Sequence, residues 1–214
     1  MNFQYLEYDT YQFNWADQFR MLISLTGANK NLQLEALKYD IVPTVDTDQD
    51  SPYHKIFYSK YSILEPMYTS FIKRVIYPLF NEPLLYQRIP TFRIHAPGSL
   101  GVGEFHRDRD YSHSSEEVNI FLPFTNAFGS NTIWVETREG DGDYIPLNTP
   151  YGGFWIWNGS NLEHGNKINN SGKTRISIDF RILPKRFYDE SNTKQSITNK
   201  TKMVIGEYWS EYIN

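Results

Sequence analysis

The ten residues EFHRDRDYSH, Glu104 to His113, concentrate two histidines, two aspartates and two arginines in one short stretch. In an extended segment residues i and i+2 point to the same side. The His106 imidazole and the Asp108 carboxylate could therefore grip one cation together. Asp110 would join them only if the strand continued, and the turn-like DRDYSH argues against that. An H-x-D triplet is common by chance, so a metal site needs a third ligand from far along the chain. His164 in NLEHGN is the natural candidate, 58 residues after His106. The remaining histidines lie upstream or, like His113, too near in sequence.

Two imidazoles and one carboxylate, with no sulfur, suit an open site for Fe(II) better than a closed zinc site. The strand-like run TRISIDFRI adds a second polar cluster. Its even positions, Ile176, Ile178, Phe180 and Ile182, are apolar and should face a covering layer. Its odd positions, Arg175, Ser177, Asp179 and Arg181, are polar and share the other face. Polar groups directed into a barrel are costly unless they are paired or meet a ligand. Arg175 lies eleven residues after His164, so an antiparallel return can set its guanidinium behind the metal. A planar fork beside a hydroxyl, Arg-x-Ser, matches the distal carboxyl group of a dicarboxylate.

Other signals fail on their own spacing. HRD at His106 to Asp108 imitates a kinase catalytic loop, but the position that should hold asparagine holds His113. DTDQD, Asp46 to Asp50, starts like a calcium loop, yet Ser51 stands at the glycine position and Phe57 at the closing glutamate. His54 and His95 have no spaced partners, and a surface or hydrogen-bonded structural role is the expectation for each.

These groups need strands to carry them. From about Thr91 the apolar period changes from about 3.6 to about 2, in the short runs TFRIH, GEFH, EVNIFLPF, TIWVET, DYIPL, GFWIW, LEHGN and TRISIDFRIL. Turn-rich stretches such as APGSLGVG, REGDGD and NNSGK separate them. Such spacing predicts a mainly β unit, a jelly roll or barrel, with helices over one outer face. Residues 1–85 read as mainly helical. Phe19, Leu22 and Ile23 precede Gly27, and Leu32, Leu34 and Leu37 form a weaker set. A stripe of Met67, Tyr68, Phe71, Ile72, Val75 and Ile76 should start at Pro66 and stop at Pro78. One domain is expected over 1–214, with the helical elaboration over 1–85, the β core over 90–184 and an extension over 185–214. In that extension KRFYDESNTKQSITNK reads as a polar loop, and MVIGEYWSEYIN fits a strand or a helix.

The chain of 214 residues is 40% hydrophobic and 16% aromatic, enough for a proper core, and carries a net charge of −4. Acids and bases are interspersed, so neither nucleic acid nor a membrane is an expected partner. Neither a spanning helix nor a signal peptide is indicated. With no cysteine, disulfides, thiolate metal sites and a cysteine nucleophile are excluded, and the cytoplasm is the expected compartment. The Asn-x-Ser/Thr triplets at Asn158, Asn169 and Asn199 then carry no weight as glycosylation sites. A small-molecule substrate is the expected partner; oligomeric state is not readable.

FHRD, EHGN and TRISIDF, in this order and spacing on a predicted jelly roll, resemble the Fe(II)- and 2-oxoglutarate-dependent dioxygenases over roughly Arg93 to Pro184. The local phrasing is similar to the bacterial branch that includes the StrG-like and phytanoyl-CoA-hydroxylase-like proteins. The resemblance implies a double-stranded β-helix in which His106, Asp108 and His164 ligate iron. It implies that Arg175 binds the C5 carboxylate of 2-oxoglutarate, with Ser177 helping. Asn119 and Trp134, on strands between the ligands, become candidates for co-substrate or pocket contact, with core packing as the equal alternative. Arg93 is a candidate for a carboxylate of substrate or co-substrate, or for a salt bridge to nearby acids. Trp155 and Trp157 alternate with Phe154 and Ile156, so one aromatic set could line the cavity or both could pack the core.

The implied activity is hydroxylation of a small molecule with O2, releasing succinate and CO2, with ascorbate as an accessory reductant. The Asp108 carboxylate disfavours a halogenase, which in this family carries a small residue there. A cupin-like metal-dependent isomerase or a non-catalytic ligand-binding jelly roll would share the strands but needs no Arg175–Ser177 pair. A typical cupin would also set a third histidine close to the first.

Overall fold

The alternation in TRISIDFRI organises the whole molecule. The computed structural model describes residues 3–24, 51–101, 104–191, 194–195 and 201–212. The readings at Gly27, at Leu32, Leu34 and Leu37, and at DTDQD lie outside them. Seven strands form the larger sheet: β1 (Phe3–Glu7), β2 (Leu84–Gln87), β3 (Thr91–His95), β4 (Val118–Pro123), β7 (Gly153–Trp157), β9 (Arg175–Pro184) and β10 (Trp209–Tyr212). Their order is β1-β7-β4-β9-β2-β10, and β3 also pairs with β9. Because β4 occupies one edge of β9, β3 and β2 follow one another along its other edge. A smaller sheet runs β6-β5-β8, with β5 (Trp134–Glu136), β6 (Tyr144–Pro146) and β8 (His164–Gly165).

Side chains alternate across each strand, and the two faces have separate fates. Ile176, Ile178, Phe180 and Ile182 of β9 are buried with Phe92 and Ile94 of β3, Ile120 and Leu122 of β4, and Phe154 and Ile156 of β7. The helices α1 (Trp15–Ser24), α2 (Pro52–Ser59) and α3 (Tyr61–Phe71) cover this face with Phe19, Leu22, Phe57, Leu64, Tyr68 and Phe71. Phe57 stacks on Phe92 with ring centroids 4.5 Å apart, and Tyr68 meets Phe180 edge-on at 5.2 Å. Each such side chain contributes about 1.5–3 kcal/mol when fully buried, so the layer holds the helices on the sheet. The other face carries a smaller core of Phe121, Val135, Leu147, Trp157 and Leu162. It also carries the polar groups of the site. This is the expected helix-covered jelly roll.

The boundaries differ from expectation in four places. The N-terminal segment read as helical opens with β1, whose register runs from Phe3↔Trp157 to Glu7↔Gly153. Such a short edge strand is defined by its partner, not by its own period. α3 starts at Tyr61, upstream of Pro66. Its buried residues Tyr61, Leu64, Tyr68 and Phe71 make one stripe, while Pro66 sits on the exposed side. Water can there take the Ser62 carbonyl that Pro66 cannot serve. Pro78 does not end the helical run: a π-helical turn, Ile72–Ile76, leads into α4 (Tyr77–Phe80), where the proline occupies the first turn. The described residues of GEFH, Glu104 to His106, form no strand, only a single bridge between His106 and His164.

In the C-terminal segment β10 pairs with β2, and Met203, Tyr208 and Trp209 pack on Leu85 and Leu183. No described helix is long and apolar enough to cross a membrane.

Candidate metal centre

His106 and His164 stand opposite each other across an antiparallel bridge. The His106 N–H donates to the His164 carbonyl at 3.0 Å, and the His164 N–H returns the bond at 2.9 Å. This exchange sets the two ring centroids 4.6 Å apart. Asp108 follows where the extended chain at Arg107 turns into a 3-10 segment, Asp108–Tyr111. That turn leaves Asp110 exposed, away from the cluster. His106, Asp108 and His164 bring one ligand atom each within 4.8 Å of one another. Asp108 Oδ1 lies 3.6 Å from His106 Nε2 and 3.8 Å from His164 Nε2.

The electrostatics set the two imidazoles apart beside a committed carboxylate. Burial would raise the Asp108 carboxyl, but Arg181, then the histidines, hold it well below the ordinary carboxylate range. Burial lowers His164 despite the opposing pull of Asp108. Burial also works to lower His106, but the nearby Asp108 carboxylate and the hydrogen bond to the Glu104 carbonyl outweigh it and raise that ring. A metal needs the lone pairs of both rings, and Asp108 is ionised to meet it.

The three groups open into a cleft of about 470 Å³, mouth included, that Arg93, Asn119, Trp157, Asn166, Arg175, Asp179 and Arg181 also line. Arg175 is buried at the end of β9. Its Nη1 donates to the Asn131 carbonyl at 3.0 Å and to Asn166 Oδ1 at 3.1 Å, and its guanidinium lies over the Phe121 ring. Ser177, two residues on along the same face, is fully buried. Three guanidinium groups against the carboxylates of Asp108 and Asp179 give this lining a formal surplus of one positive charge, in a chain of net charge −4.

The other sequence candidates divide. Arg93 lines the cleft and donates from Nε to Asp179 Oδ1 at 3.0 Å, so the salt-bridge alternative is realised within the cleft. Asn119 also lines it, with its amide spent on Asp108 Oδ2 at 2.7 Å. Trp134 does not line the cleft: its indole N–H donates to the Gly129 carbonyl at 3.0 Å, and Lys167 Nζ sits 3.2 Å from its ring. Trp157 is in the cleft wall, whereas Trp155 packs against the smaller core. His54 is buried with Ser51 Oγ at 2.7 Å from Nδ1, and His113 pairs with Glu117 at 2.7 Å. Arg181 and Asn166 were not singled out from sequence. Both carried a usable signal, since Arg181 shares the polar face of β9 with Arg175, and Asn166 is the i+2 residue after His164.

A divalent ion with a dianionic co-substrate fits these residues. The donor set is two nitrogens and one oxygen, and the cleft's positive surplus grows when the ion binds. Buried polar atoms also await partners. Ser177 Oγ, Trp157 Nε1 and Asn119 Oδ1 have none among the described residues, an arrangement that costs about 1–3 kcal/mol per atom unless a ligand or water answers it.

No family model matches the chain. It is 39% identical over 170 residues to the streptomycin biosynthesis protein StrG of Streptomyces griseus, covering 79% of this chain and 81% of that protein. Among solved structures it is similar to the non-haem monooxygenase ThoJ in its nickel complex, with a TM-score of 0.53 and 10% identity, over 90% of this chain and 78% of that one. It is also similar to SnoK, a non-haem α-ketoglutarate-dependent carbocyclase from nogalamycin biosynthesis, with a TM-score of 0.55 and 9% identity, over 85% and 80% of the two chains. The structural likeness speaks for the fold, and the sequence relative for the family. The chain therefore belongs to the StrG-like family and shares the jelly-roll fold of the non-haem Fe(II)- and 2-oxoglutarate-dependent oxygenases.

Proposed function

We propose that this protein is a non-haem Fe(II)- and 2-oxoglutarate-dependent oxygenase that hydroxylates a small molecule and releases succinate and CO2. The observation that carries the reading is the meeting of His106, Asp108 and His164 in one cleft with the buried Arg175. In this reading the two Nε2 atoms and Asp108 Oδ1 would hold Fe(II). Arg175 takes the C5 carboxylate of 2-oxoglutarate through its planar fork, and the Ser177 hydroxyl finds there the partner it lacks. Iron and 2-oxoglutarate, when bound, would activate dioxygen, which is the oxidant: the oxo acid would give up two electrons on conversion to succinate and CO2, and the hydroxylated substrate the other two.

The chain's own residues orient the reactants and keep water out. Trp157 and Ile133 line the cleft as apolar wall, which protects an oxidising site from side reactions. Arg93, braced by Asp179, lines the cleft where a carboxylate or hydroxyl of the substrate would meet it. A cupin-like isomerase would leave the Arg175–Ser177 pair without a task.

The test supplies Fe(II), ascorbate, O2 and 2-oxoglutarate and follows succinate, with and without candidate small molecules. Succinate should form, rise with the true substrate, and disappear in His106→Ala and Asp108→Ala proteins. Failure of the protein to bind 2-oxoglutarate in the presence of Fe(II) or Mn(II) would end this reading.

A further inference from the structure

The two oxygens of Asp108 have different surroundings. Oδ2 accepts from Arg181 Nε at 2.9 Å and from Asn119 Nδ2 at 2.7 Å, and Arg181 Nη2 stands 2.8 Å from it in an ion pair. Oδ1 is the oxygen that faces both imidazoles. We propose that Arg181 and Asn119 are positioning residues that reserve Oδ2 for the protein, so that Asp108 offers a cation one oxygen in one direction. The inference rests on the metal-centre reading above and adds residues that act through Asp108 without touching the ion.

Two N–H donors, one of them from a cation whose second nitrogen stands beside it, take up the two lone pairs of one carboxylate oxygen. A carboxylate with both oxygens free would chelate the ion and consume an extra coordination position. One oxygen in place of two would leave a bound cation more room for a co-substrate. The guanidinium also draws electron density from Asp108, which weakens its donation and leaves the ion more acidic.

Both positioning groups are themselves fixed. Arg181 Nη1 donates to the Tyr208 hydroxyl at 3.2 Å, and Glu117 Oε2 stands 3.9 Å from Arg181 Nε. Tyr208 belongs to the C-terminal segment packed on Leu85 and Leu183, so that segment buttresses the centre through Arg181. Asn119 lies flat against Gly159, where an added Cβ would stand 2.6 Å from Nδ2 and 2.7 Å from Cγ. The Gly159 carbonyl also accepts the Asp108 N–H at 3.0 Å. A side chain at this position would push the Asn119 amide from its place.

Co(II) serves as the probe, titrated by its visible absorption. Metal-minus-apo infrared spectra report the separation of the antisymmetric and symmetric carboxylate stretches, wide for one-oxygen and narrow for two-oxygen coordination. Wild type should show the wide separation. Arg181→Gln should narrow it and bind Co(II) about three- to tenfold more tightly, because a repelling charge is lost and a second donor is gained. Arg181→Lys, which keeps a cation on Oδ2, should restore the wide separation, and Gly159→Ala should shift it slightly in the narrow direction.

If Arg181→Gln does not fold, Arg181→Gln/Glu117→Gln removes the buried charge left alone and carries the same expectation. Unchanged spectra in a folded variant, weaker Co(II) binding, or a narrow separation already in wild type would each overturn the proposal. Wild type that binds no Co(II) would instead overturn the metal centre itself, and this inference with it.

Discussion

His106 and His164 are oriented by the same device: each Nδ1 meets the carbonyl oxygen two residues upstream, Glu104 at 2.8 Å and Leu162 at 3.0 Å. A carbonyl oxygen only accepts, so each Nδ1 carries a proton and each Nε2 is the atom turned to the common point, where a cation would take its lone pair. The backbone bridge between the same two residues fixes where the rings stand. Position and tautomer are thus both settled before any ion arrives.

The bridge depends on Gly165, where an added Cβ would stand 2.8 Å from Phe105 Cδ2 and 3.1 Å from its Cα. Gly165→Ala must part the two segments or displace Phe105. We expect a loss of about 1–3 kcal/mol in stability, typical of overpacking. Metal affinity should fall roughly tenfold or more, as when ligand support is removed. Denaturant melts and Ni(II) titration measure the two effects separately.

Metal should stabilise the folded chain. An ion bound only by the native state adds about 2.7 kcal/mol at a free concentration one hundred times its Kd. Thermal melts with Mn(II) or Ni(II) should therefore show a raised Tm that a chelator reverses. The increment should vanish in His164→Ala, and its persistence there would mean that the ion sits elsewhere.

Arg175→Ala should separate co-substrate from metal. Loss of a buried charge-assisted contact is worth about 1.5–3 kcal/mol, which corresponds to roughly 10- to 150-fold weaker 2-oxoglutarate binding. Metal affinity should stay near that of wild type. Arg175→Lys should recover only part of the loss, since an ammonium is a point charge without the fork. Calorimetry with 2-oxoglutarate on the Mn(II)-loaded protein reads the difference.

His95 gives the fold an acid limit. It is fully buried opposite Arg175 in the β3–β9 pair, with the Ser99 carbonyl 3.0 Å from Nε2 and the Asn131 carbonyl 3.3 Å from Nδ1. Burial first, then the Arg175 charge, push it down from 6.5 to about 4, against the two carbonyls. The unfolded chain takes up this proton below about pH 6.5 while the folded chain refuses it until about pH 4. Its contribution is therefore complete above the upper value and lost progressively toward the lower one, by as much as about 3 kcal/mol. His95→Gln, which can still donate to either carbonyl, should flatten urea-derived stability across that window relative to wild type. His164, also lowered by burial, acts in the same direction in both proteins and cancels in the comparison.

The sequence by itself determined the two faces of β9 and the ligand types. Alternation is a property of a few consecutive peptide units, so the isoleucines had to oppose the arginines whatever the rest of the chain did. H-x-D and a distant histidine likewise named the three groups that come together. Only the tertiary structure decided who meets whom. Asn119 was legible as a polar residue on a central strand, but not that its amide would go to Asp108. Trp134 was legible as a strand aromatic, but not that Lys167 and the Gly129 carbonyl would claim it outside the cleft. β1 owes its strand to Trp155 and Trp157, and the two metal-facing histidines owe their encounter to one bridge across 58 residues. Periodicity is set within a few residues by backbone geometry. Partner choice is set by hydrogen bonds and packing between segments that meet only once the chain has folded.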